Sequence, residues 1–315
     1  MKLLITRALP DRVIAAARER FEVTLRDEPQ NPSGAELVAM LRDYDVVLCS
    51  IGDRFTAEIF AQVPNPRCRL LANFGAGYNH LDVAAAKAAG IPVTNTPGAV
   101  TEATADIGVA LILMAARRLG EGERVVRAGD WHGWKPTQML GTHVSGKTLG
   151  IIGMGRIGKA VARRCYHGFG MDVIFHNRST VADPGVPATQ VDFAAAMAAD
   201  FVVVTVPGGK ETHHLIDAAA LGHMRPHGIF VNISRGDVVD EAALIATLQA
   251  GRIRAAGLDV YEFEPQVPEA LKGMENVVLL PHLGTACIEA REDMGFLALS
   301  NVIAFAEGKP LVSPV

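Results

Sequence analysis

The sequence predicts an α/β protein built from two doubly wound parallel-sheet domains of the Rossmann or flavodoxin type. Short apolar runs recur along the chain, and each is followed by an alanine-rich stretch with helical spacing. Strands that alternate with helices form parallel sheets wound on both faces. The 315 residues are about twice the length of a typical domain. We therefore expect two lobes with the active site in the cleft between them.

Nine apolar segments are predicted as strands. They are residues 2–6, 46–50, 70–73, 148–152, 172–176, 201–206, 229–233, 257–260 and 277–280. Residues 36–49 and 192–205 share one pattern, an amphipathic helix and an Asp followed by an apolar strand. One similar sheet in each half of the chain would produce that repetition.

The joint between the domains is marked by Pro97 and Gly98, which punctuate the end of a strand. We predict a substrate-binding domain from residues 1–98 and 286–315, and a dinucleotide-binding domain from residues 99–285. Residues 101–127 carry an apolar stripe on one long helix, and a loop over 128–146 contains both tryptophans, Trp131 and Trp134. Because large aromatic residues on loops often anchor interfaces, residues 101–146 are predicted to form a homodimer arm. The alternative is a loop folded on its own domain.

Composition narrows the class of protein. The chain is 49% hydrophobic and 20% charged with a formal net charge of −4, which gives no long-range attraction to nucleic acid. We expect no membrane span and no targeting segment, and hence a cytoplasmic protein. The scattered cysteines are expected to stay reduced, and no metal site is predicted. His213 and His214, in a polar loop, are expected to be solvated.

A glycine-rich turn follows the strand predicted at 148–152. Gly153, Gly155 and Gly158 form Gly-x-Gly-x-x-Gly, and a helical segment comes directly after them. Such glycines permit a tight turn, let the backbone approach a pyrophosphate and let the helix pack closely on the strand. The helix N-terminus then offers unpaired amides to the phosphates. The flanking strand and helix favour dinucleotide binding over a glycine-rich turn without a ligand.

The strand predicted at 172–176 should end beside the adenosine ribose of the dinucleotide. Enzymes that prefer NAD place an acidic residue there for the ribose 2′-hydroxyl. This chain has Asn177, Arg178 and Ser179 instead. Arg178 and Ser179 can hold a 2′-phosphate by charge and hydrogen bonds, so NADP is the preferred cofactor and NAD the second choice. The alternative is a solvated arginine in a turn.

Three polar segments follow apolar strands, at the strand ends where open α/β sheets bind ligands. Reduction of a ketone requires a proton, and His282 suits that donor role. A carboxylate at Glu264 would favour the protonated imidazole. Arg235 can hold a substrate carboxylate bidentately and polarise the carbonyl.

Together these residues resemble the D-isomer-specific 2-hydroxyacid dehydrogenases, and the resemblance covers nearly the whole chain. The family's catalytic Arg in Asn-x-x-Arg-Gly, Glu in Asp-Val-x-x-x-Glu-Pro and His in Pro-His-x-Gly correspond to Arg235, Glu264 and His282. The resemblance implies that Asp259 holds the nicotinamide amide. It assigns further cofactor contacts to Thr104, Arg156, Ile157, Pro207, Thr212, Ile233 and Gly284.

The first domain and the dimer arm extend this resemblance. The segment 73–82 is similar to the family's loop whose backbone amides bind the substrate carboxylate, which assigns Ala76 and Gly77 to that role. Segments 94–98, 101–106 and 134–136 look like the glyoxylate and hydroxypyruvate reductase branch, in which a tryptophan, here Trp134, reaches the partner's active site. Ile51 is assigned to the substrate pocket.

The resemblance implies NAD(P)H-dependent reduction of a small 2-keto acid, such as glyoxylate or hydroxypyruvate, to the D-2-hydroxy acid. Two alternatives stay open. The chain could be another D-2-hydroxyacid dehydrogenase, of the phosphoglycerate or formate type. It could also be a dinucleotide-sensing corepressor, since relatives with this fold bind protein partners.

Overall fold

The computed structural model describes residues 1–315 and divides into two compact units. Unit 1 consists of Met1–Val100 and Thr285–Val315, and unit 2 consists of Thr101–Gly284. None of the helices combines the length and the apolar character that crossing a membrane requires.

The elements are numbered along the chain. The strands are β1 (Lys2–Ile5), β2 (Glu22–Leu25), β3 (Val46–Cys49), β4 (Leu71–Asn73), β5 (Val93–Thr94), β6 (Thr148–Ile152), β7 (Asp172–His176), β8 (Ala188–Gln190), β9 (Phe201–Val204), β10 (Ile229–Asn232), β11 (Ala255–Leu258) and β12 (Val277–Leu279). The helices are α1 (Asp11–Arg18), α2 (Gly34–Asp43), α3 (Ala57–Ala61), α4 (Val83–Ala88), α5 (Thr101–Arg117), α6 (Leu119–Ala128), α7 (Arg156–Phe169), α8 (Phe193–Met197), α9 (Ala218–Gly222), α10 (Glu241–Gln249), α11 (Glu269–Lys272) and α12 (Ile288–Ala306).

Unit 1 contains a five-stranded sheet in the order β2-β1-β3-β4-β5, and every pair in it is parallel. All four residues of β3 are buried, as a central strand covered on both faces requires. α2 begins with a reciprocal cap, in which the Glu36 amide donates to Ser33 Oγ and the Ser33 amide donates to Glu36 Oε2.

The C-terminal segment returns to unit 1. Gly295 lets α12 pack closely on α1. A Cβ added at Gly295 would lie only 2.6 Å from Val13 Cγ2. The buried Asn301 accepts hydrogen bonds from the amides of Val312 and Ser313, each at 3.0 Å. The Val315 amide donates to the Val93 carbonyl at 3.0 Å. The tail is therefore fixed against the β5 edge of the sheet.

Unit 2 contains a seven-stranded sheet in the order β12-β11-β10-β9-β6-β7-β8, again with every pair parallel. The chain runs from β6 outward through β7 to β8, and then returns to β9 on the other side of β6. The direction of winding thus reverses beside β6, which is the position where open α/β sheets bind ligands. The prediction of two parallel-sheet α/β domains is confirmed.

One predicted element is wrong. Residues 101–127 were expected to form one helix, but the helix breaks at Arg118, whose φ of 55° is left-handed. Arg118 also donates to the Glu121 carboxylate through Nε at 2.7 Å, and Gly120 and Gly122 lower the helix propensity beyond it. α5 has a buried face, whereas α6 buries no residue. The packing that would favour one continuous helix is therefore missing.

Three strands are absent from the nine predicted segments. β2 alternates exposed and half-buried residues, β8 is short and mostly exposed, and β5 has only two residues. All three lie at sheet edges, and none has the long apolar run that identifies a central parallel strand.

Gly150 in β6 allows a close contact with helix α8. A Cβ at this position would lie 2.1 Å from the Ala196 carbonyl oxygen. We expect Gly150→Ala to lower the free energy of unfolding by about 1 to 3 kcal/mol, as overpacking of a rigid core does. Urea unfolding followed by circular dichroism measures the change.

Gly168→Ala is the matched control. Gly168 lies in α7, is exposed, and has no atom within 4 Å of an added Cβ, so alanine there should be neutral or stabilise by up to about 1 kcal/mol. Equal stability of the two variants would contradict the steric account of Gly150.

Candidate active site

Three neighbouring strands of unit 2 bring polar residues to one edge of the sheet. Arg235 follows β10, Asp259 and Glu264 follow β11, and His282 follows β12. β10, β11 and β12 are adjacent and parallel, so their carboxyl ends lie side by side. The fold therefore gathers the residues that the sequence assigns to catalysis.

Glu264 and His282 form a hydrogen-bonded pair. His282 Nδ1 lies 2.9 Å from Glu264 Oε2, and the two side chains are 33% and 30% exposed. The other carboxylate oxygen, Oε1, accepts the Tyr261 amide at 3.0 Å. This hydrogen bond orients the imidazole through Nδ1, so Nε2 is the ring nitrogen that can serve a ligand.

The carboxylate of Glu264 is held in its charged form. Burial by itself would raise the pKa of Glu264, but the His282 hydrogen bond and charge, the Tyr261 amide and the Arg235 charge outweigh it. The pKa of Glu264 therefore lies below its ordinary value.

Arg235 is placed by a turn that Asn232 organises. Asn232 Oδ1 accepts from the Ser234 amide at 3.0 Å, and Asn232 Nδ2 donates to the Arg235 carbonyl at 3.0 Å. Arg235 Nη1 donates to the Ser234 carbonyl at 2.7 Å, while Nε is buried without a partner. Burial lowers the pKa of Arg235, against the charges of Glu264 and Asp237. A buried cationic donor without a partner is suited to an anionic ligand.

Gly236 lets this turn pack on the turn after β11. A Cβ at Gly236 would lie 1.8 Å from the Tyr261 carbonyl oxygen, so no larger residue fits without moving the backbone. In the sequence, Gly236 is recognisable only as the last residue of Asn-x-x-Arg-Gly. The structure shows that it sets the spacing between the Arg235 turn and the turn that carries Glu264.

Asp259 fixes the backbone on which His282 stands. The Asp259 carbonyl accepts the His282 amide at 2.9 Å, and its carboxylate accepts the amides of Leu283 at 2.6 Å and Gly284 at 2.8 Å. These bonds hold His282 at a left-handed φ of 54°, which non-glycine residues adopt at an energetic cost. Burial raises the pKa of Asp259, against the two amide bonds and the charge of His282. The contact of Asp259 with a nicotinamide amide remains a prediction.

The glycine turn after β6 has the geometry of a phosphate cradle. Gly153 has a φ of 100°, and a Cβ at Gly158 would lie 2.4 Å from the Gly153 carbonyl oxygen. Gly155 is exposed, has no atom within 4 Å of an added Cβ, and caps α7 without a side chain. Arg156 and Ile157 begin the helix, the first exposed and the second half-buried. Open space above uncapped amides fits the pyrophosphate of a dinucleotide.

At the predicted ribose end, Arg178 is not isolated. It forms an ion pair with Glu211, and the side chains are 85% and 78% exposed. Asn177 Nδ2 donates to the Ser179 carbonyl at 3.0 Å, which closes the turn. Glu211 follows β9, so sequence reasoning about the end of β7 did not identify it.

The other predicted cofactor residues lie in separate parts of unit 2. Thr212 Oγ1 donates to the Pro207 carbonyl at 2.7 Å, within the loop after β9. Ile233 is buried and packs against Gly108 of α5. Thr104, also in α5, is buried beside Gly284.

Three of the six residues assigned to the substrate lie in unit 1. Ile51, after β3, is 47% exposed. Ala76 and Gly77 lie in the turn after β4, where Asn73 Nδ2 donates to the Gly77 carbonyl at 3.0 Å and Asn95 Nδ2 donates to the Ala76 carbonyl at 2.7 Å. These bonds fix the carbonyl side of the turn. The roles of Ile51, Ala76 and Gly77 in binding a substrate remain predictions.

Two loop assignments gain detail from the structure. Trp134, in unit 2, is 78% exposed, and its role at a partner's site remains a prediction. The expectation that both loop histidines are solvated is wrong for His214, whose Nε2 lies 2.7 Å from Glu262 Oε1. His213 is exposed. The contact joins two loops distant in sequence, so the local polar context did not predict it.

Comparison with known proteins shows the family of this chain. The family model for the D-isomer specific 2-hydroxyacid dehydrogenase NAD binding domain matches residues 109–284. A glyoxylate reductase from Thermococcus litoralis is 42% identical over 98% of this chain and 94% of its own length. A glycerate dehydrogenase from Hyphomicrobium methylovorum is 36% identical over 98% of this chain and 96% of its own length.

A solved structure extends the similarity to the fold. The NADPH-dependent glyoxylate/hydroxypyruvate reductase from Sinorhizobium meliloti, in complex with NADP and malonate, has a TM-score of 0.88 at 36% identity, covering 100% of this chain and 96% of that one. The resemblance stated from the motifs is confirmed. This chain belongs to the D-isomer-specific 2-hydroxyacid dehydrogenase family, in its glyoxylate reductase branch.

Proposed function

We propose that this dehydrogenase reduces glyoxylate, hydroxypyruvate or a similar small 2-keto acid to the D-2-hydroxy acid, with His282 as the proton donor. The observation that carries the proposal is the 2.9 Å hydrogen bond between His282 Nδ1 and Glu264 Oε2. The relatives named above support the substrate class, because they are a glyoxylate reductase, a glycerate dehydrogenase and a glyoxylate/hydroxypyruvate reductase.

The residues of unit 2 divide the chemical work. A bound nicotinamide dinucleotide supplies the hydride that reduces the carbonyl carbon. Arg235 binds the substrate carboxylate through its buried, otherwise unpartnered Nε and polarises the carbonyl. His282, charged beside Glu264, transfers its Nε2 proton to the carbonyl oxygen as negative charge develops there. Glu264 stabilises the imidazolium and fixes the ring.

The cofactor preference we propose is NADP over NAD. No carboxylate follows β7 at Asn177, Arg178 and Ser179 to accept a ribose 2′-hydroxyl. Arg178 is a cation on the same turn, and its present partner, Glu211, is exposed and therefore displaceable at little cost. A 2′-phosphate offers Arg178 a stronger, doubly charged partner.

We also propose a homodimer formed through residues 101–146. α6 buries no residue, and the apolar side chains of Val126, Trp134 and Leu140 are 61%, 78% and 60% exposed. Exposed apolar surface of this kind is typical of a protein–protein interface. A two-fold interface would bury the same surface on both copies. The access of Trp134 to the partner's site depends on this dimer.

The pH profile tests the proton donor. Reduction of glyoxylate should weaken as pH rises, because His282 then loses the proton that it must donate. Glu264→Gln should move this fall in kcat/KM to lower pH, since a neutral amide no longer stabilises the imidazolium. Steady-state assays with NADPH across the pH range measure both curves. Near-normal turnover of His282→Ala with an unchanged profile would overturn the assignment.

Cofactor kinetics test the role of Arg178. Arg178→Ala should raise the KM for NADPH about tenfold or more and barely change that for NADH, because only NADPH carries the phosphate. Glu211→Gln should lower the KM for NADPH. It removes the carboxylate that competes with the 2′-phosphate for Arg178. Equal effects of Arg178→Ala on both cofactors would rule out this contact.

Sedimentation tests the assembly. The protein should sediment as a dimer at micromolar concentration, and Val126→Lys should shift it toward monomer because a buried unpaired charge is costly. Val312→Lys is the matched control, since Val312 is 56% exposed and lies outside the arm. A monomeric parent protein, or equal behaviour of the two variants, would contradict the proposed interface.

A further inference from the structure

A second cluster of side chains with metal-ligating atoms lies in unit 2, outside the catalytic pair. It consists of His213, His214 and Glu262, and one ligand atom from each lies within 4.8 Å of the others. The two imidazole rings are stacked with centroids 4.0 Å apart, and His214 Nε2 lies 2.7 Å from Glu262 Oε1. Nothing in the proposed reaction uses these three side chains.

The donor set selects a particular class of ion. Two imidazoles and one carboxylate are the ligands that zinc-class divalent ions prefer, whereas Mg²⁺ favours oxygen donors and water. Ligands bonded at about 2.0–2.1 Å to a tetrahedral ion lie somewhat more than 3 Å apart. The present separations therefore need only small side-chain movements to enclose one ion, with a fourth position left for water.

The backbone around the cluster is held in place. The His214 amide donates to the Asp237 carbonyl at 2.9 Å, and His214 has a left-handed φ of 50°. Glu262 Oε2 accepts the Glu241 amide at 3.3 Å, so the carboxylate oxygen that does not contact His214 is also held. Outer contacts of this kind position metal ligands. A left-handed non-glycine residue also points to a functional constraint.

We propose that His213, His214 and Glu262 bind one zinc-class divalent ion, and that its occupancy slows turnover. Glu262 stands two residues before Glu264 on the turn after β11. An ion that draws Glu262 toward the histidines restrains this turn, and through it the orientation of Glu264 toward His282. The alternative is that His214 and Glu262 form only an ion pair. In that case His213 makes no contribution to metal binding.

Binding measurements on the full-length protein, stripped with a chelator, test the site. Calorimetric titration should show that one Zn²⁺ ion binds tightly to each protein chain. Excess Mg²⁺ should not compete with this binding. His213→Gln should weaken Zn²⁺ binding about tenfold or more, because the exposed His213 serves no other contact than its stacking on His214. His223→Gln is the matched control, since His223 is an exposed histidine elsewhere in unit 2. This measurement does not depend on the proposed reaction.

Two results would overturn the proposed site. One is equal Zn²⁺ affinity in His213→Gln and His223→Gln, which would leave only the ion pair. The other is that His282→Asn loses tight Zn²⁺ binding while His213→Gln keeps it. This result would place the ion at the pair formed by Glu264 and His282.

Turnover measurements test the coupling between the two sites. Zn²⁺ should inhibit glyoxylate reduction by the parent enzyme and by His223→Gln at concentrations that leave His213→Gln active. Equal inhibition of all three proteins would contradict the coupling, because the inhibitory ion would then bind elsewhere.

Discussion

Every strand in both sheets runs parallel to its neighbours, and this constraint decides where chemistry can take place. Parallel pairing uses the backbone groups of the strands and requires helices on both faces, so the strand interiors are apolar. Polar side chains that must face a ligand are therefore confined to the loops at the strand ends. In unit 2 the glycine turn, Arg235, Glu264 and His282 all follow carboxyl ends of one sheet.

Loops are flexible unless other groups fix them, and here buried polar side chains do so. Asp259 binds three consecutive amides and thereby sets the backbone at His282. Asn232 closes the turn that presents Arg235. Each of these side chains satisfies several backbone groups at once, so the residues proposed for catalysis stand on fixed backbone even though they lie outside regular structure.

The sequence predicted most of the central architecture because buried parallel strands are continuous apolar runs. It missed β2 and β8, whose edge positions give mixed patterns, and β5, which has only two residues. It joined α5 to α6 because the break at Arg118 depends on local backbone geometry. The motifs predict Arg235, Glu264 and His282 as catalytic residues, and the structure places all three after adjacent strands. The pairing of Arg178 with Glu211 and of His214 with Glu262 joins loops far apart in sequence, and no local pattern records such contacts.

Unit 1 is assembled from two separate stretches of the chain, with unit 2 inserted between them. Its first hundred residues lack both α12 and the tail that hydrogen-bonds to the edge of β5. During synthesis on the ribosome this sheet therefore lacks the cover of α12 until residues 285–315 have been made. Unit 2 is contiguous and can complete its own core earlier. The sheet of unit 1 can therefore acquire its full cover only after the whole of unit 2 has been synthesised.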